Sequence, residues 1–154
     1  IELDSLFHQR GWTPLPTEEF REQVAERCAG DGWVACGNYS AVQDLVWSRA
    51  QAVLVIDLPK PLVMWRVIRR SFVRCATRQE LWNGNRESFR EVLALRDGQR
   101  SILRWTWDMH GRYRDRYRDA EADPSWAALP FTWLTSRREV REFRQVVWLL
   151  SPQQ

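Results

Sequence analysis

Lysine is nearly missing from this sequence: Lys60 is the sole lysine among 23 basic residues. Histidine is almost as scarce, and His8 and His110 stand far apart with no ligand-like neighbour, which argues against a zinc site. The three cysteines, Cys28, Cys36 and Cys75, are widely spaced and odd in number. They suit neither a disulfide framework nor a metal-ligand pair, and a reducing, cytoplasmic setting fits them. No stretch approaches the ~18 consecutive apolar residues of a membrane span, and no basic-then-apolar leader opens the chain. Neither membrane crossing nor secretion is expected.

What the sequence does have is arginine, tryptophan and enough apolar content for a core. At 154 residues and 44% hydrophobic content, one domain is the expectation. Net charge is only +3, but a basic side made almost entirely of arginine has two readings. Coding bias in a GC-rich genome explains it without function. Alternatively, planar guanidinium forks grip phosphate oxygens bidentately, so arginine clusters suit polyanions. The ten tryptophans also read two ways, as core packing at core-like positions or as platforms for stacked bases.

The chain opens with Ile1 and Leu3 alternating with Glu2 and Asp4, like the end of a strand, so it reads as a fragment entered inside an element. Thr17 is placed as the N-cap of a helix with Glu18 and Glu19 in its first turn and Phe20, Val24 and Cys28 as its buried stripe. The apolar runs Trp33 to Cys36, Ala52 to Leu58 and Phe131 to Leu134 are expected strands. The second is continuous rather than alternating, as in a parallel strand covered on both faces. Between them, Pro61 opens a helix with Met64, Val67, Ile68 and Phe72 inward. A later helix runs from about Ser101 to Tyr117, with Ile102, Trp105, Met109, Tyr113 and Tyr117 on one face. The last is capped by Ser136 with Glu139 three residues on, a capping box, and carries Val140, Phe143 and Val147. Strands alternating with helices predict an α/β fold with a parallel sheet.

From Lys60 to Arg78 there are six basic residues, Lys60, Arg66, Arg69, Arg70, Arg74 and Arg78, and no acid. On a helix Arg66, Arg70 and Arg74 stack at i,i+4, a repulsion an anion would relieve. A solvated basic face is the plainer account, although such faces usually intersperse acids. The polar segment Leu81 to Arg90 then supplies Arg86 and Arg90, again four apart. Together these arginines could surround a transferring phosphoryl group.

The order DSLFH, GWV with GNYS, IDLP with the WRVIRR helix, and ELWNGNRESF resembles the adenylate-kinase-like P-loop kinases, in the branch known as DNA topology modulation proteins, over nearly the whole chain. The resemblance implies a three-layer nucleoside-monophosphate-kinase fold, a parallel sheet flanked by helices, that handles ATP and Mg2+. It also implies an arginine-bearing lid, here about residues 66–90. Asp4 matches the acid that faces the acceptor or magnesium, and Gly37 and Asn38 match the loop that closes on the substrate. Arg66 and Arg70 match the pair that opens the lid, Arg86 and Arg90 those that close it. Ser136 and Arg137 match the loop beside the nucleotide base.

Two departures stand out. Cys36 replaces the aspartate of the family's aspartate-glycine-asparagine motif, which bears on metal handling. G-x-x-x-x-G-K-[ST] appears nowhere, and Lys60 lies in the wrong context to replace its lysine. The expectation is therefore that the first strand, phosphate-binding loop and first helix lie upstream and that these 154 residues are inactive alone. The leading function is transfer of the γ-phosphoryl of ATP to a small acceptor, a nucleotide among the candidates. The alternatives are a non-catalytic nucleotide- or nucleic-acid-binding protein and a pseudokinase scaffold.

Overall fold

The computed structural model describes residues 1–96 and 101–150. Its α-helices are α1 (Leu3–Phe7), α2 (Thr17–Arg27), α3 (Gln43–Trp47), α4 (Lys60–Thr77), α5 (Phe89–Val92), α6 (Ile102–Ala122) and α7 (Arg137–Leu150). Strand β1 (Val53–Ile56) falls between α3 and α4, and β2 (Phe131–Leu134) between α6 and α7. The two strands pair in parallel, from Val53 opposite Phe131 to Ile56 opposite Leu134. The fold is thus α/β with a parallel sheet, and that sheet has two strands among the described residues.

The chain divides into two compact units. The first comprises Ile1–Gln51 and Phe72–Phe89, the second Ala52–Ser71 and the described residues from Arg90 onward. In the first unit Leu3, Phe20, Val24, Cys28 and Val42 make a buried cluster, with Phe7, Tyr39 and Trp33 among the residues packed on it. The predicted stripe of α2 is the centre of this core. Its start differs, because Thr17 is the first helical residue and Pro16 holds the N-cap position without a side-chain bond.

The expected strands at the chain start and at Trp33–Cys36 are not strands. They meet in one parallel bridge between Glu2 and Cys36, with the Cys36 N–H donating to Ile1 O at 2.9 Å and the Leu3 N–H to Cys36 O at 2.9 Å. Pairing stops there because α1 begins at Leu3 and Gly37 follows at φ +147°, a conformation that L side chains avoid. A β-carbon on Gly37 would lie 2.8 Å from that of Leu3, so glycine is required for this packing.

In the second unit Val55, Leu58, Val67 and Leu134 are among the buried apolar residues. The reading of β1 as covered on both faces is corrected: Leu54 and Ile56, on one face, are 41% and 56% exposed. Helix α4 is also turned from its expected setting. Val67, Ser71 and Cys75 are its buried residues, while Ile68 and Phe72 are exposed. Trp105 on α6 and Phe143 on α7 are likewise exposed, and the Val147 side chain lies outside the described residues. The capping box is realised, with the Glu139 N–H donating to Ser136 Oγ at 3.2 Å and the Thr135 N–H to Glu139 Oε2 at 2.6 Å.

Candidate functional site

Both strands of the second unit deliver their carboxyl ends on the same side, where the Asp57 N–H extends the ladder to Leu134 O at 2.9 Å. The residues leaving β1 are then gripped by one face of α6. Arg114 holds Asp57 with two bonds of 2.7 and 2.9 Å, the bidentate fork that guanidinium geometry favours. Four residues earlier, His110 Nε2 donates to Leu58 O at 2.9 Å. Three residues earlier again, the Trp107 ring receives the Lys60 ammonium 3.8 Å from its centroid. The sole lysine thus serves a cation–π contact.

Beyond this clamp lies a cavity of about 410 Å³ lined by Ile56, Leu58, Val63, Arg66, Val67 and Arg70. Arg66 and Arg70, the predicted i,i+4 pair, both line it, at the carboxyl end of β1. In open parallel sheets that end is where ligands bind. An apolar wall with two planar cationic forks matches a ligand that joins a phosphate to a less polar body.

Arg74, although on the same predicted row, does not line the cavity; its Nη1 donates to Glu87 Oε1 at 2.8 Å, with the two side chains only 19% and 12% exposed. Removing one partner of such a pair leaves the other charge poorly solvated. The cost reaches ~3–5 kcal/mol when burial is complete. Arg74→Ala is expected to cost about 2–3 kcal/mol, read as a fall in Tm of roughly 5–10 °C by thermal denaturation. Arg66→Ala, at an exposed position, should shift Tm by less than about 2 °C.

The remaining predicted residues have other settings. Arg86 precedes α5, so it does not stack on one helix face with Arg90, and its Nη2 bonds Glu80 Oε2 at 3.2 Å. Arg90 and Arg137 are exposed. Ser136 caps α7, and Glu139 occupies that helix start, where the Thr135 N–H above all holds its carboxyl below the usual range.

In the first unit, Asp4 Oδ1 accepts a 2.6 Å bond from Tyr39 Oη, the hydroxyl two residues after Gly37. Asn38 is exposed. Tyr39 Oη also lies 3.4 Å from His8 Nε2. Since the tyrosine proton is committed to the carboxylate, His8 is the donor in that contact. Phe7 and Trp12 meet the imidazole edge-on and Trp82 lies nearly parallel to it.

In this structure the segment Leu81 to Arg90 bonds residues between Glu2 and Trp12. Asn83 Nδ2 donates to Ser5 O and His8 O at 3.1 and 2.7 Å. Buried Asn85 donates to Gln9 O at 2.9 Å and accepts the Trp12 N–H at 3.0 Å. Trp82 Nε1 donates to Glu2 Oε2 at 2.6 Å. These bonds hold Trp12 at φ +60°, a conformation bulky residues seldom adopt.

Burial lowers the His8 pKa below 6.5, with the Asp4 carboxylate opposing it. The unfolded imidazole therefore takes up its proton first. Stability contributed by neutral His8 is complete above about pH 6.5 and is lost as pH falls from there through the lower folded pKa. Urea midpoints measured from pH 8 to pH 5 should decline more steeply for the parent protein than for His8→Gln.

Sequence reasoning missed Asp57, His110, Arg114, Tyr39 and His8. For the α6 trio, a signal existed in the i, i+3, i+7 spacing of Trp107, His110 and Arg114 on one helix face. Comparison with protein-family models, curated proteins and solved structures returns no match to this chain.

Proposed function

We propose that the intact protein transfers the γ-phosphoryl group of ATP to a small acceptor, with a nucleotide as the first candidate. The observation that carries this reading is the cavity at the carboxyl end of β1, where Arg66 and Arg70 face an otherwise apolar wall. Two guanidiniums there can neutralise a phosphoryl group as charge spreads over its oxygens.

In this reading the two parallel strands and their helices belong to a three-layer P-loop kinase fold, and residues 66–90 act as its lid. Arg86 and Arg90 are the further arginines assigned to that lid. Asp4, held in place by Tyr39, orients the acceptor with the Gly37-Asn38 backbone beside it. Ser136 and Arg137 flank the nucleotide base.

Mg2+ would neutralise the triphosphate. Among the described residues no three His, Cys, Asp or Glu side chains group to hold a metal, and Asp57 is engaged by Arg114. The ion fits best as a companion of ATP, consistent with its habit of keeping phosphate and water ligands. These 154 residues contain no G-x-x-x-x-G-K-[ST], so alone they are proposed to be inactive. No helix among the described residues is long and apolar enough to cross a membrane.

The test is transfer of labelled phosphate from ATP to a panel of nucleotides and other small hydroxyl acceptors by the intact protein. Transfer that survives replacement of Arg66, Arg70 and Arg86 together by alanine would overturn the assignment.

A further inference from the structure

Tryptophan was expected mainly in the core, yet among the described side chains only Trp47 is buried, and Trp65, Trp105 and Trp107 are exposed. Trp107 carries the Lys60 ammonium over its ring. Trp65 projects from α4 with 59% of its surface exposed, beside Ile68 at 44%. A bulky ring so exposed forfeits burial that tryptophan ordinarily obtains, which marks a contact surface rather than packing.

The charges beside it point to the partner. Arg69 is four residues from Trp65 and three from Arg66, so it is the helix-surface neighbour of each, with β-carbons about 5–6 Å away. Arg66 and Arg69 are exposed, and no acid occurs from Lys60 to Arg78. Arg74 already has Glu87 as its counter-ion, which leaves Arg66 and Arg69 for an outside anion.

We infer that this face of α4 binds single-stranded nucleic acid, with a base stacked on Trp65 and successive phosphates meeting Arg66 and Arg69. A self-paired second copy is disfavoured, because a two-fold contact through this face would set guanidinium against guanidinium. Trp65, Ile68, Phe72 and Val73 are all exposed along this helix, but Arg66 and Arg69 lie among them rather than on an opposite polar face. A lipid surface, which asks for an unbroken apolar face, is the rival outcome that the vesicle probe below tests. A single strand offers flat π faces and regularly repeated anions, which is what this face complements. The inference shares Arg66 with the proposed phosphoryl transfer, so its test rests on Trp65 and Arg69, neither of which lines the cavity.

The experiment is fluorescence anisotropy of a short labelled oligo(dT) with the full chain across about 50–200 mM salt, with duplex DNA and phosphatidylserine vesicles as rival probes. Two phosphate contacts predict log affinity falling against log salt with a slope of about −1.4, from ~0.7 per phosphate on single strands. Trp65→Ala should weaken binding roughly tenfold, and Trp65→Phe should restore most of it. Arg69→Glu, an exposed change that the fold should tolerate, should weaken binding and make the slope shallower by about 0.7.

Binding unaffected by Trp65→Ala and Arg69→Glu would overturn the inference. So would equal affinity for duplex, or tighter binding to vesicles that depends on Trp65. Both variants should leave phosphoryl transfer by the intact protein unchanged, so failure of either reading is distinguishable from failure of the other.

Discussion

In the phosphoryl transfer proposed above, the rate is expected to fall roughly a thousandfold or more when Arg66, Arg70 and Arg86 are replaced together by alanine. The size follows from how such transfers are catalysed. Little covalent work falls to the protein, and positive groups placed where charge develops supply most of the rate. A single well-aimed donor contributes about 10²–10³, and a single arginine finger ~10³–10⁵. Arg66 and Arg70 share one cavity wall with Ile56 and Leu58, and low-polarity neighbours strengthen their field.

Arg66→Ala alone should lower kcat by about 10² while changing KM much less, since the charge it meets is greatest in the transition state. Arg69→Ala, one residue from the pair yet outside the cavity lining, is the matched control and should leave kcat within about twofold. Equal losses for Arg69 and Arg66 would mean that the helix acts only through its overall charge, and the cavity would lose its assigned role.

The arginine run shows how far sequence carries such a reading. Spacing alone placed Arg66 and Arg70 side by side, because i,i+4 neighbours on a helix meet wherever the helix is put. It could not foresee that Arg74 would find Glu87, thirteen residues away and beyond a turn. Strand β1 was legible as a continuous apolar run, β2 as the short run Phe131 to Leu134 after a long helical section, and α7 through its capping box, because those signals are local.

Trp33–Cys36 carried the same apolar signature and is not a strand. There the outcome was decided by Gly37 and by the helix that begins at Leu3, neither of which is written in the run itself. The Asn83 and Asn85 bonds to residues 5–12 span more than 70 positions and follow no periodicity. A polar Asn-Gly-Asn turn looks the same whether it reaches for a ligand or for its own backbone. Tryptophan misled in the opposite sense, since its size argues for burial and Trp65 is left outside.

Phe20→Ala is expected to cost about 3–5 kcal/mol, the range for emptying a fully buried aromatic site. Phe20 has no exposed surface, and its ring meets Phe7 and Tyr39 edge-to-face with centroids 5.2 Å away in each case. Such contacts add about 0.5–1.5 kcal/mol per pair beyond the area buried. One of the three rings bears directly on the proposed acceptor site, because Tyr39 holds Asp4. A void at Phe20 should therefore loosen the Asp4 carboxylate as well as lower Tm, by roughly 6–20 °C at 2–4 °C per kcal/mol.

Tyr39→Phe separates the two effects. It keeps the ring packing and removes only the hydroxyl, so Tm should change by less than about 4 °C while the bond to Asp4 disappears. If Asp4 orients the acceptor, Tyr39→Phe should raise KM for the acceptor without changing that for ATP, and Phe20→Leu, which retains most of the core volume, should leave both near the parent values. A rise in both KM values for Tyr39→Phe would place Asp4 in fold maintenance and remove it from the acceptor site.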